Sequence, residues 1–482
     1  MNVATIPEEH LILILVGRSP LRRQVQNSCM LTAPRFGIRW SSTIVRKLKS
    51  EIENLAKKKV PILAALKKEH KDKKVGDVTV DMVVGGMRGI KGLVTETSDL
   101  HPEEGICYRG YKLTDLNEKL PKAKEGGDCG LPEGAFWLLL TGKIPTPRQT
   151  AALSRELHSR SKLPKHVVKL IDRLPKTMHP MTQLSIGILA LQTQSEFAEA
   201  YRNGTMKKQE YWEHTLEDSL TLVGQLPVLA ARIYRNMFHG SLVIKPNRKL
   251  DWAGNYAHML GVTEDPLFKE VTRLYLTLHA DHEGGNVSAH TAHLVGSALS
   301  DPFYSTAAGM CGLAGPLHGL ANQECLRWLE DAHKWLDGRE PTEELIAGYT
   351  RDTLAAGKVI PGYGHAVLRK TDPRFLLERE FAQKHMQGDE MVKLVDVCFK
   401  AIPPVLEATG KVKNPWPNVD AHSGVCMQHY GLKESDYYTV VFAVSRALGV
   451  TAQLVWSRLL GLPIERPKSV TLEWLNKKCN TP

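Results

Sequence analysis

Apolar residues recur at three- and four-residue intervals over long stretches of this chain of 482 residues. Residues 51–70, 167–193, 212–238 and 435–460 show this spacing, which is the repeat of an α-helix with one buried face. The alternation of apolar and polar residues that is typical of strands is confined to short pieces, residues 78–84 and 92–95. We therefore expect a mainly α fold with a minor β-sheet near the N-terminus.

The net positive charge is concentrated at the N-terminus. Residues 1–74 hold 16 Lys and Arg against 6 Asp and Glu, so this segment carries +10 of the formal charge of +11. The rest of the chain is almost neutral, and we expect no nucleic-acid-binding face.

The N-terminal segment has the composition of a targeting sequence. Residues 10–50 contain eight basic residues, several serines and no acidic residue, which is typical of a mitochondrial transit peptide. The apolar run at 11–16 is too short to span a bilayer and follows two acidic residues, whereas a secretory signal would carry positive charge there. We predict a transit peptide over residues 1–42 and no membrane span; the alternative is a solvated basic arm.

The cysteine and histidine patterns do not indicate a metal site. The eight cysteines are scattered without a CxxC pair, which fits a reducing compartment better than a disulfide scaffold. The histidine-rich segment 279–293 (HADHEGGNVSAHTAH) lacks the HExxH spacing of a zinc site. Within it, His282 is the candidate for ligand binding, because the following Gly284 and Gly285 leave room for a ligand to approach the backbone.

Two further motifs present a histidine beside glycines. His318 lies in residues 315–324 (GPLHGLANQE) ahead of a helical run, where the positive end of a helix would keep the imidazole neutral; a structural histidine at a helix entry is the alternative. His365 lies in residues 359–374 (VIPGYGHAVLRKTDPR), where glycines permit unusual backbone angles and three cations suit an anionic substrate. The alternative there is a solvated basic face.

An acid and two arginines complete the candidates. Asp420 follows a proline-stiffened segment in residues 414–424 (NPWPNVDAHSG), and it is either a general base or the cap of a helix that begins at Ala421. Arg446 interrupts an apolar run, so its charge requires a fixed carboxylate or a bound anion. Arg466 could likewise bind an anion, although the neighbouring Glu465 could neutralise its charge.

Taken in order, these motifs resemble the citrate synthases of the eukaryotic mitochondrial type, and the resemblance runs from about residue 75 to about residue 469. By this resemblance the catalytic residues are His318, His365 and Asp420. It further implies that oxaloacetate is bound by four residues, which are His282, Arg374, Arg446 and, from the other subunit of a homodimer, Arg466.

The resemblance also implies a second substrate and a domain arrangement. Acetyl-CoA is that substrate, so no cofactor and no metal are expected; its coenzyme A part would contact Arg88, Val359, Ile360, Gly362, Tyr363, Arg369, Lys411 and Asn418. A large helical domain would comprise residues 43–318 and 424–482, with a smaller helical domain inserted at 319–423. The enzyme would form citrate and CoA in the mitochondrial matrix, as the first step of the tricarboxylic acid cycle.

Two rival functions stay open at this stage. Methylcitrate synthase, which uses propionyl-CoA, needs the same three catalytic residues, and one methylene changes binding in a pocket by only about 1–3 kcal/mol. A catalytically silent paralogue is the other rival, although His318, His365 and Asp420 are all intact.

Overall fold

The computed structural model describes residues 42–123, 127–365 and 367–481, and residues 42–482 group into one compact unit. In this part of the chain there are twenty α-helices and three strands. The predicted transit peptide, apart from Ser42, lies outside the described residues. The predicted inserted domain at 319–423 stays a prediction.

The mainly α fold is confirmed. The helices are α1 (Thr43–Glu69), α2 (Val80–Val84), α3 (Leu113–Lys119), α4 (Pro132–Thr141), α5 (Pro147–Arg160), α6 (Lys165–Ile171), α7 (Pro180–Leu191), α8 (Glu196–Asn203), α9 (Tyr211–Phe238), α10 (Trp252–Leu260), α11 (Pro266–Leu278), α12 (Val287–Ser297), α13 (Pro302–Leu313), α14 (Ala321–Leu336), α15 (Glu343–Ala355), α16 (Pro373–His385), α17 (Glu390–Ala408), α18 (Asp420–His429), α19 (Tyr438–Leu459) and α20 (Leu472–Asn480).

Helix α19 is the centre of the core. It is apolar on all sides, and every residue from Tyr438 to Trp456 is buried. It packs against α4, α9, α11, α12 and α13. The segment Ser435–Leu459 is the one stretch of the described chain long and apolar enough to cross a membrane, but its apolar window is fully buried inside the protein. It is therefore a core helix.

The predicted helix over 167–193 is interrupted. Helix α6 ends at Ile171, and α7 begins at Pro180, with His179 accepting a hydrogen bond from the Met181 N–H at the cap. Proline is favoured in the first turn of a helix and disfavoured in its interior, so Pro180 marks a helix start within the periodic stretch.

The minor sheet near the N-terminus is confirmed, but the segments 78–84 and 92–95 do not form its strands. Residues 80–84 form α2, because Thr79 caps the Met82 N–H, and residues 92–95 are irregular. The strands are β1 (Ser98–His101), β2 (Gly105–Tyr108) and β3 (Tyr111–Lys112). They form an antiparallel sheet in the order β1-β2-β3, with Ser98 opposite Tyr108 and Cys107 opposite Lys112.

The small sheet supports the segment that follows α11. The Tyr108 hydroxyl lies 3.1 Å from the carbonyl oxygens of Thr277 and Leu278, and it accepts a hydrogen bond from the Asp281 N–H at 3.1 Å. The hydroxyls of Thr97 and Ser98 donate to Asp281 Oδ2 at 2.6 and 2.8 Å. The backbone on either side of His282 is thereby held in place.

Candidate active site

Six of the side chains singled out from the sequence meet in one region, namely those of His282, His318, His365, Arg374, Asp420 and Arg446. Burial lowers the pKa of His282 well below its usual value, and the charges of Arg374, Arg446, His365 and His318 act in the same direction. The rings of His282 and His365 are 5.7 Å apart. Residues more than 160 positions apart in the chain therefore form one cluster.

His318 is held by the start of α12. The Ser288 N–H donates to His318 Nε2 at 3.3 Å, and Ser288 Oγ lies 2.9 Å from the same nitrogen. Because Nε2 accepts a hydrogen bond, the neutral ring carries its hydrogen on Nδ1. Within the described part of the chain, that Nδ1 has no partner, so it can donate to a ligand.

The reason predicted for a neutral His318 is only partly right. Its pKa is lowered to about 4, first by burial and then by the charge of Arg446. Helix α14 begins at Ala321, three residues after His318, whereas the amide that bonds the ring belongs to the first turn of α12. The helix start that favours the neutral ring is therefore that of α12.

His365 is presented by a loop that needs its glycines. Gly362 and Gly364 have φ angles of +78° and +93°, as predicted from the motif. The N–H groups of Val367 and Leu368 donate to His365 Nδ1 at 3.0 and 3.1 Å. The hydrogen of the neutral ring is therefore on Nε2, which has no partner among the described residues.

The pKa of His365 is lowered to about 4, mainly by burial and next by Arg374. Both His318 and His365 are therefore uncharged near neutral pH. Each has one nitrogen occupied by a backbone amide, and each has one N–H left to donate.

Asp420 is not a helix cap. It is the first residue of α18, whose cap position is Val419, and no side chain makes a cap hydrogen bond there. The Asp420 N–H is instead satisfied by Asn418 Oδ1 at 3.0 Å. The interpretation of Asp420 as a cap is therefore wrong, and within the described chain its carboxylate has no hydrogen-bond partner.

The Asp420 carboxyl is tuned toward a base that works near neutral pH. Burial raises its pKa to about 6, against the opposing effect of the Arg374 charge. A carboxyl group with a raised pKa is a stronger base than an ordinary one, and enzymes tune general bases in this way.

Arg446 and Arg374 differ in how their charge is balanced. Arg446 is 1% exposed and donates only to neutral groups, which are His279 O at 3.2 Å, Asn286 Oδ1 at 3.1 Å and Ser288 Oγ at 3.3 Å. Its guanidinium also lies 4.8 Å from the centre of the Phe442 ring. It forms no ion pair with any described residue, so of the two predicted partners only a bound anion is left.

Arg374 already has a carboxylate partner. Its Nε lies 3.0 and 3.1 Å from the two carboxylate oxygens of Asp372, and its Nη2 donates to Oδ2 at 2.6 Å. Nη1 is the nitrogen left for a ligand. Asp372 is a site residue that sequence reasoning missed, although it stands two positions before Arg374 in the same motif.

The segments predicted to hold coenzyme A join beside Asp420. The Asn418 N–H donates to Gly362 O at 2.9 Å, and its side-chain amide donates to Gly364 O at 3.1 Å. Tyr363 forms an isolated antiparallel bridge with Pro417. A Cβ on Gly362 would lie 3.0 Å from Ala421 Cα, so the close contact with α18 requires glycine.

The remaining coenzyme A candidates differ in exposure. Ile360 is buried, whereas Val359, Arg369 and Lys411 are exposed on the same two segments. Arg88 is exposed on the turn after α2, and no contact joins it to the cluster.

Arg466 also lies outside the cluster in a single chain. Its side chain is exposed and has no hydrogen-bond or ion-pair partner among the described residues. Glu465 does not neutralise it, because Glu465 Oε2 lies 3.1 Å from His290 Nε2 and Oε1 contacts His293 Nδ1.

Several buried polar atoms near the cluster have no partner in the described part of the chain. These are Tyr275 Oη, His279 Nε2, His282 Nε2 and Glu378 Oε2. Buried polar atoms are nearly always paired, so their clustering here indicates a place for a polar ligand or water. Tyr275 and Glu378 carry no motif, and nothing in the sequence singles them out.

The histidine-rich segment 279–293 bears on two predictions, the lack of a metal site and the space for a ligand beside Gly284. Among the described residues, no three His, Cys, Asp or Glu side chains are grouped to hold a metal ion. Gly284 does not leave space for a ligand, because a Cβ there would lie 2.3 Å from Thr95 Oγ1. That glycine is required by packing against Thr95.

Comparison with known proteins shows the family of the chain. The family described as "Citrate synthase, C-terminal domain" matches residues 86–468. The mitochondrial citrate synthase of Daucus carota is 54% identical over 457 residues, covering 95% of this chain and 96% of that protein. The probable mitochondrial citrate synthase of Glossina morsitans morsitans is 57% identical over 412 residues, covering 85% and 88%. These relatives support a mitochondrial location for this chain.

Solved structures show the same fold. The citrate synthase of Pyrobaculum aerophilum matches with a TM-score of 0.70 at 28% identity, covering 83% of this chain and 95% of that one. The family match spans the cluster, from His282 to Arg446. The chain belongs to the citrate synthase family.

Proposed function

We propose that the cluster is the active site of a citrate (Si)-synthase in which Asp420 is the general base and His318 and His365 are hydrogen-bond donors. As an acyltransferase of this family, the chain condenses acetyl-CoA with oxaloacetate and hydrolyses citryl-CoA to citrate and CoA. The observation that carries the assignment of roles is the pairing of one unpartnered carboxylate with two neutral imidazoles, each with a free N–H.

The first step is proton removal from the methyl group of acetyl-CoA. A thioester methyl is a very weak acid, so Asp420 can take its proton only if the developing negative charge is stabilised. His318 stabilises this negative charge by donating a hydrogen bond from Nδ1 to the thioester oxygen. The neutral state of His318 suits this role, because a neutral ring donates one hydrogen bond without requiring a negative partner.

The second step forms the carbon–carbon bond. The enolate carbon attacks the ketone carbon of oxaloacetate, and the C=O π electrons move to the ketone oxygen. His365 passes its Nε2 proton to that oxygen and is reprotonated from solvent, while Asp420 releases the methyl proton to solvent. Citryl-CoA results, and water then cleaves its thioester to citrate and CoA. In the hydrolysis the water oxygen bonds to the acyl carbon, the C–S bond breaks, and a proton of the water goes to the CoA sulfur.

The two carboxylates of oxaloacetate would be bound by arginines. Arg446 is buried and has no carboxylate partner among the described residues, so a substrate carboxylate would balance its charge. Arg374 offers Nη1, and His282 offers its unpartnered Nε2. Holding oxaloacetate in this way converts a two-substrate encounter into a positioned reaction.

Coenzyme A would lie along the joined segments at 359–363 and 411–418, with Arg369 and Arg88 as phosphate contacts. Residues 319–423 would move as a small domain and close over oxaloacetate. We further propose a homodimer in which Arg466 reaches the partner's site, which fits a side chain that is exposed and pairs with no residue of the described ranges. The matrix of the mitochondrion is the proposed compartment.

A thiol-release assay tests the reaction. With oxaloacetate and acetyl-CoA the purified chain should release CoA thiol and form citrate, faster than with propionyl-CoA. His318→Gln should lower kcat by about 10²–10⁴, the usual contribution of a positioned acid–base group. The matched control is His166→Gln, an exposed histidine outside the cluster, which should keep full activity. Faster turnover of propionyl-CoA would refute the donor assignment.

Mixed dimers test the shared site. A chain with Arg466→Ala and a chain with Asp420→Ala should both be inactive alone. After subunit exchange, a heterodimer would contain one site with both residues intact and should regain activity. Verified exchange without recovery would show that Arg466 does not serve the partner's site.

A further inference from the structure

The segment 279–286 carries His282 and contacts Arg446 at both of its ends. Arg446 Nε donates to His279 O at 3.2 Å, and Arg446 Nη1 donates to Asn286 Oδ1 at 3.1 Å. The Asn286 side-chain amide in turn donates to His282 O at 2.8 Å. Two of the groups proposed to bind oxaloacetate therefore depend on the position of one short segment.

The backbone directly after His282 has an unusual conformation. Glu283 has a φ angle of +52°, in the left-handed region that residues other than glycine seldom adopt. Such a conformation costs free energy, and it persists only where surrounding contacts hold it. The orientation of the turn after His282 therefore depends on contacts with other parts of the chain.

Contacts from two distant elements hold this turn, and they meet at Asp281. Ser98 Oγ, at the start of β1, donates to Asp281 Oδ2 and accepts from the Glu283 N–H, both at 2.8 Å. Gln453 Nε2, in α19, donates to Asp281 Oδ1 at 2.6 Å and to Glu283 O at 3.1 Å. Thr97 Oγ1 donates to Asp281 Oδ2 at 2.6 Å. We call these four residues, Thr97, Ser98, Asp281 and Gln453, the carboxylate lock.

The carboxylate lock is buried and lies directly against the helix that carries Arg446. Asp281 is fully buried, and no cation of the described chain forms an ion pair with it. A Cβ on Gly449, one turn after Arg446 in α19, would lie 2.5 Å from Asp281 Oδ1. Burial lowers the pKa of Arg446 to about 10, and the charge of Asp281 opposes this effect. The lock therefore acts on the helix of Arg446 by direct packing as well as by charge.

We propose that Asp281 is a positioning residue for oxaloacetate binding, which acts by holding His282 and Arg446 in the arrangement that receives the substrate. This role rests on the proposed function, since it takes His282 and Arg446 as the ligands of oxaloacetate. Asp281 does not contact the substrate, because both of its carboxylate oxygens are bound by donors of the lock. Changes to the lock should therefore weaken oxaloacetate binding more than they slow the conversion of bound substrate.

Calorimetry with oxaloacetate on the full chain measures binding without requiring turnover. Ser98→Ala removes one donor to Asp281 and the acceptor of the Glu283 N–H without changing a charge. It should raise Kd for oxaloacetate about tenfold, as is usual when a residue that orients a ligand-binding group is lost. At saturating oxaloacetate, kcat should stay within about threefold of that of the unmodified chain.

Ser195→Ala is the matched control for Ser98→Ala. Ser195 is buried to the same extent, at 5% exposed against 6% for Ser98. Its Oγ donates to the buried Asp218 Oδ2 at 2.6 Å and accepts from the Ala198 N–H at 3.0 Å, so the same two kinds of hydrogen bond are lost. Both variants should lose stability, but Kd of the control should stay within about twofold of that of the unmodified chain.

A second variant changes the lock from the side of α19. Gln453→Leu removes the Nε2 donor of the lock and should also raise Kd for oxaloacetate about tenfold. Its matched control is Gln225→Leu. The buried Gln225 likewise donates to one side-chain oxygen, Gln194 Oε1 at 3.2 Å, and to one backbone carbonyl, Lys162 O at 3.0 Å. This control should leave Kd within about twofold.

Asp281 itself is tested by a pair of variants. Asp281→Ala removes both acceptor oxygens and should raise Kd for oxaloacetate by about tenfold or more. The side-chain amide of Asp281→Asn can donate to the two hydroxyls of the lock and accept from Gln453, because a hydroxyl can serve as donor or acceptor. Asp281→Asn should therefore bind oxaloacetate within about threefold of the unmodified chain. If Asp281→Ala does not fold, the variants at Ser98 and Gln453 decide the question.

The outcomes separate this role from the proposed function. An unmodified chain that binds oxaloacetate but forms no citrate would contradict the proposed function, and the Kd values would still decide the role of Asp281. Unchanged Kd in Ser98→Ala and Gln453→Leu, or an equal rise of Kd in their two controls, would overturn that role. Binding by Asp281→Asn as weak as that by Asp281→Ala would also overturn it.

Discussion

Replacing Asp420 by Asn separates the chemical role of this residue from any structural role. The side chains are the same size, and the first N–H of α18 is satisfied by Asn418 Oδ1 in either case. Asn also caps helices about as well as Asp. The change therefore removes a basic carboxylate and leaves the local backbone contacts in place.

The expected loss of activity follows from the proposed role. A positioned general base contributes about 10²–10⁴ to the rate, so kcat of Asp420→Asn should fall by that factor. The pH dependence of the unmodified enzyme gives an independent check. With the pKa of Asp420 at about 6, its ionised fraction falls about tenfold from pH 7 to pH 5, and kcat/KM should fall in parallel. His318 and His365, with pKa values of about 4, stay neutral over this range.

As pH falls, the free energy of unfolding should rise while kcat/KM falls. Burial raises the pKa of Asp420 from 3.8 to about 6, so the ionised carboxylate is less stable in the folded chain than in the unfolded one. The folded state then binds a proton first as pH falls, and the free energy of unfolding rises between about pH 6 and pH 4. A shift of about two units corresponds to about 3 kcal/mol as an upper limit. At pH 8, Asp420→Asn should therefore be as stable as the unmodified chain or more stable, by up to about 3 kcal/mol.

Two measurements decide the outcome. Thiol release gives kcat, and urea unfolding at pH 5 and pH 8 gives the free energy of unfolding. Asp265→Asn is the matched control, because Asp265 is exposed and does cap a helix, accepting from the Leu267 N–H at 2.8 Å. The control should keep both activity and stability. If Asp420→Asn unfolds more easily and its folded fraction keeps full kcat, Asp420 is a structural residue and the proposed mechanism is wrong.

Two further substitutions test residues that hold the proposed catalytic groups. Ser288→Ala removes the hydroxyl beside His318 Nε2 but keeps the amide, and it should lower kcat by about tenfold, as is usual for residues that orient a catalytic ligand; unchanged kcat in steady-state kinetics would contradict this. Glu465→Gln removes the charge that contacts His290 and His293 next to Arg466, and it should raise KM for oxaloacetate about tenfold with a smaller change in kcat. Equal KM values would show that Glu465 does not position Arg466.

The periodic helices could be predicted from the sequence, and the short strands could not. Helices α9 and α19 coincide with the predicted stretches to within a few residues, because long apolar repeats leave few other ways to bury them. The segment 78–84 also alternates, but a single cap at Thr79 is enough to start a helical turn. The real strands have two to four residues, which is too short for an alternating pattern to be recognised.

In the candidate site, too, the sequence identifies some features and not others. Residue types and motif order were sufficient to single out His318, His365 and Asp420. The partners that set their properties could not be inferred, because they depend on the folded backbone. Ser288 is 30 positions from His318. The sequence leaves Asp420 as either a base or a cap, whereas in the folded chain the cap position is Val419 and the Asp420 N–H donates to Asn418 Oδ1.

The contacts of the two histidines explain how one cluster can both hold and release protons. A backbone amide occupies Nε2 of His318 but Nδ1 of His365, so the two rings present opposite nitrogens as donors. Their lowered pKa values prevent either ring from taking the methyl proton near neutral pH, since a group with a pKa of about 4 is a weak base. Asp420, with a pKa of about 6, is the stronger base of the three. Burial thus supports the proposed roles, because it raises the pKa of the acid and lowers those of the histidines, as a proton acceptor at Asp420 and donors at the two imidazoles require.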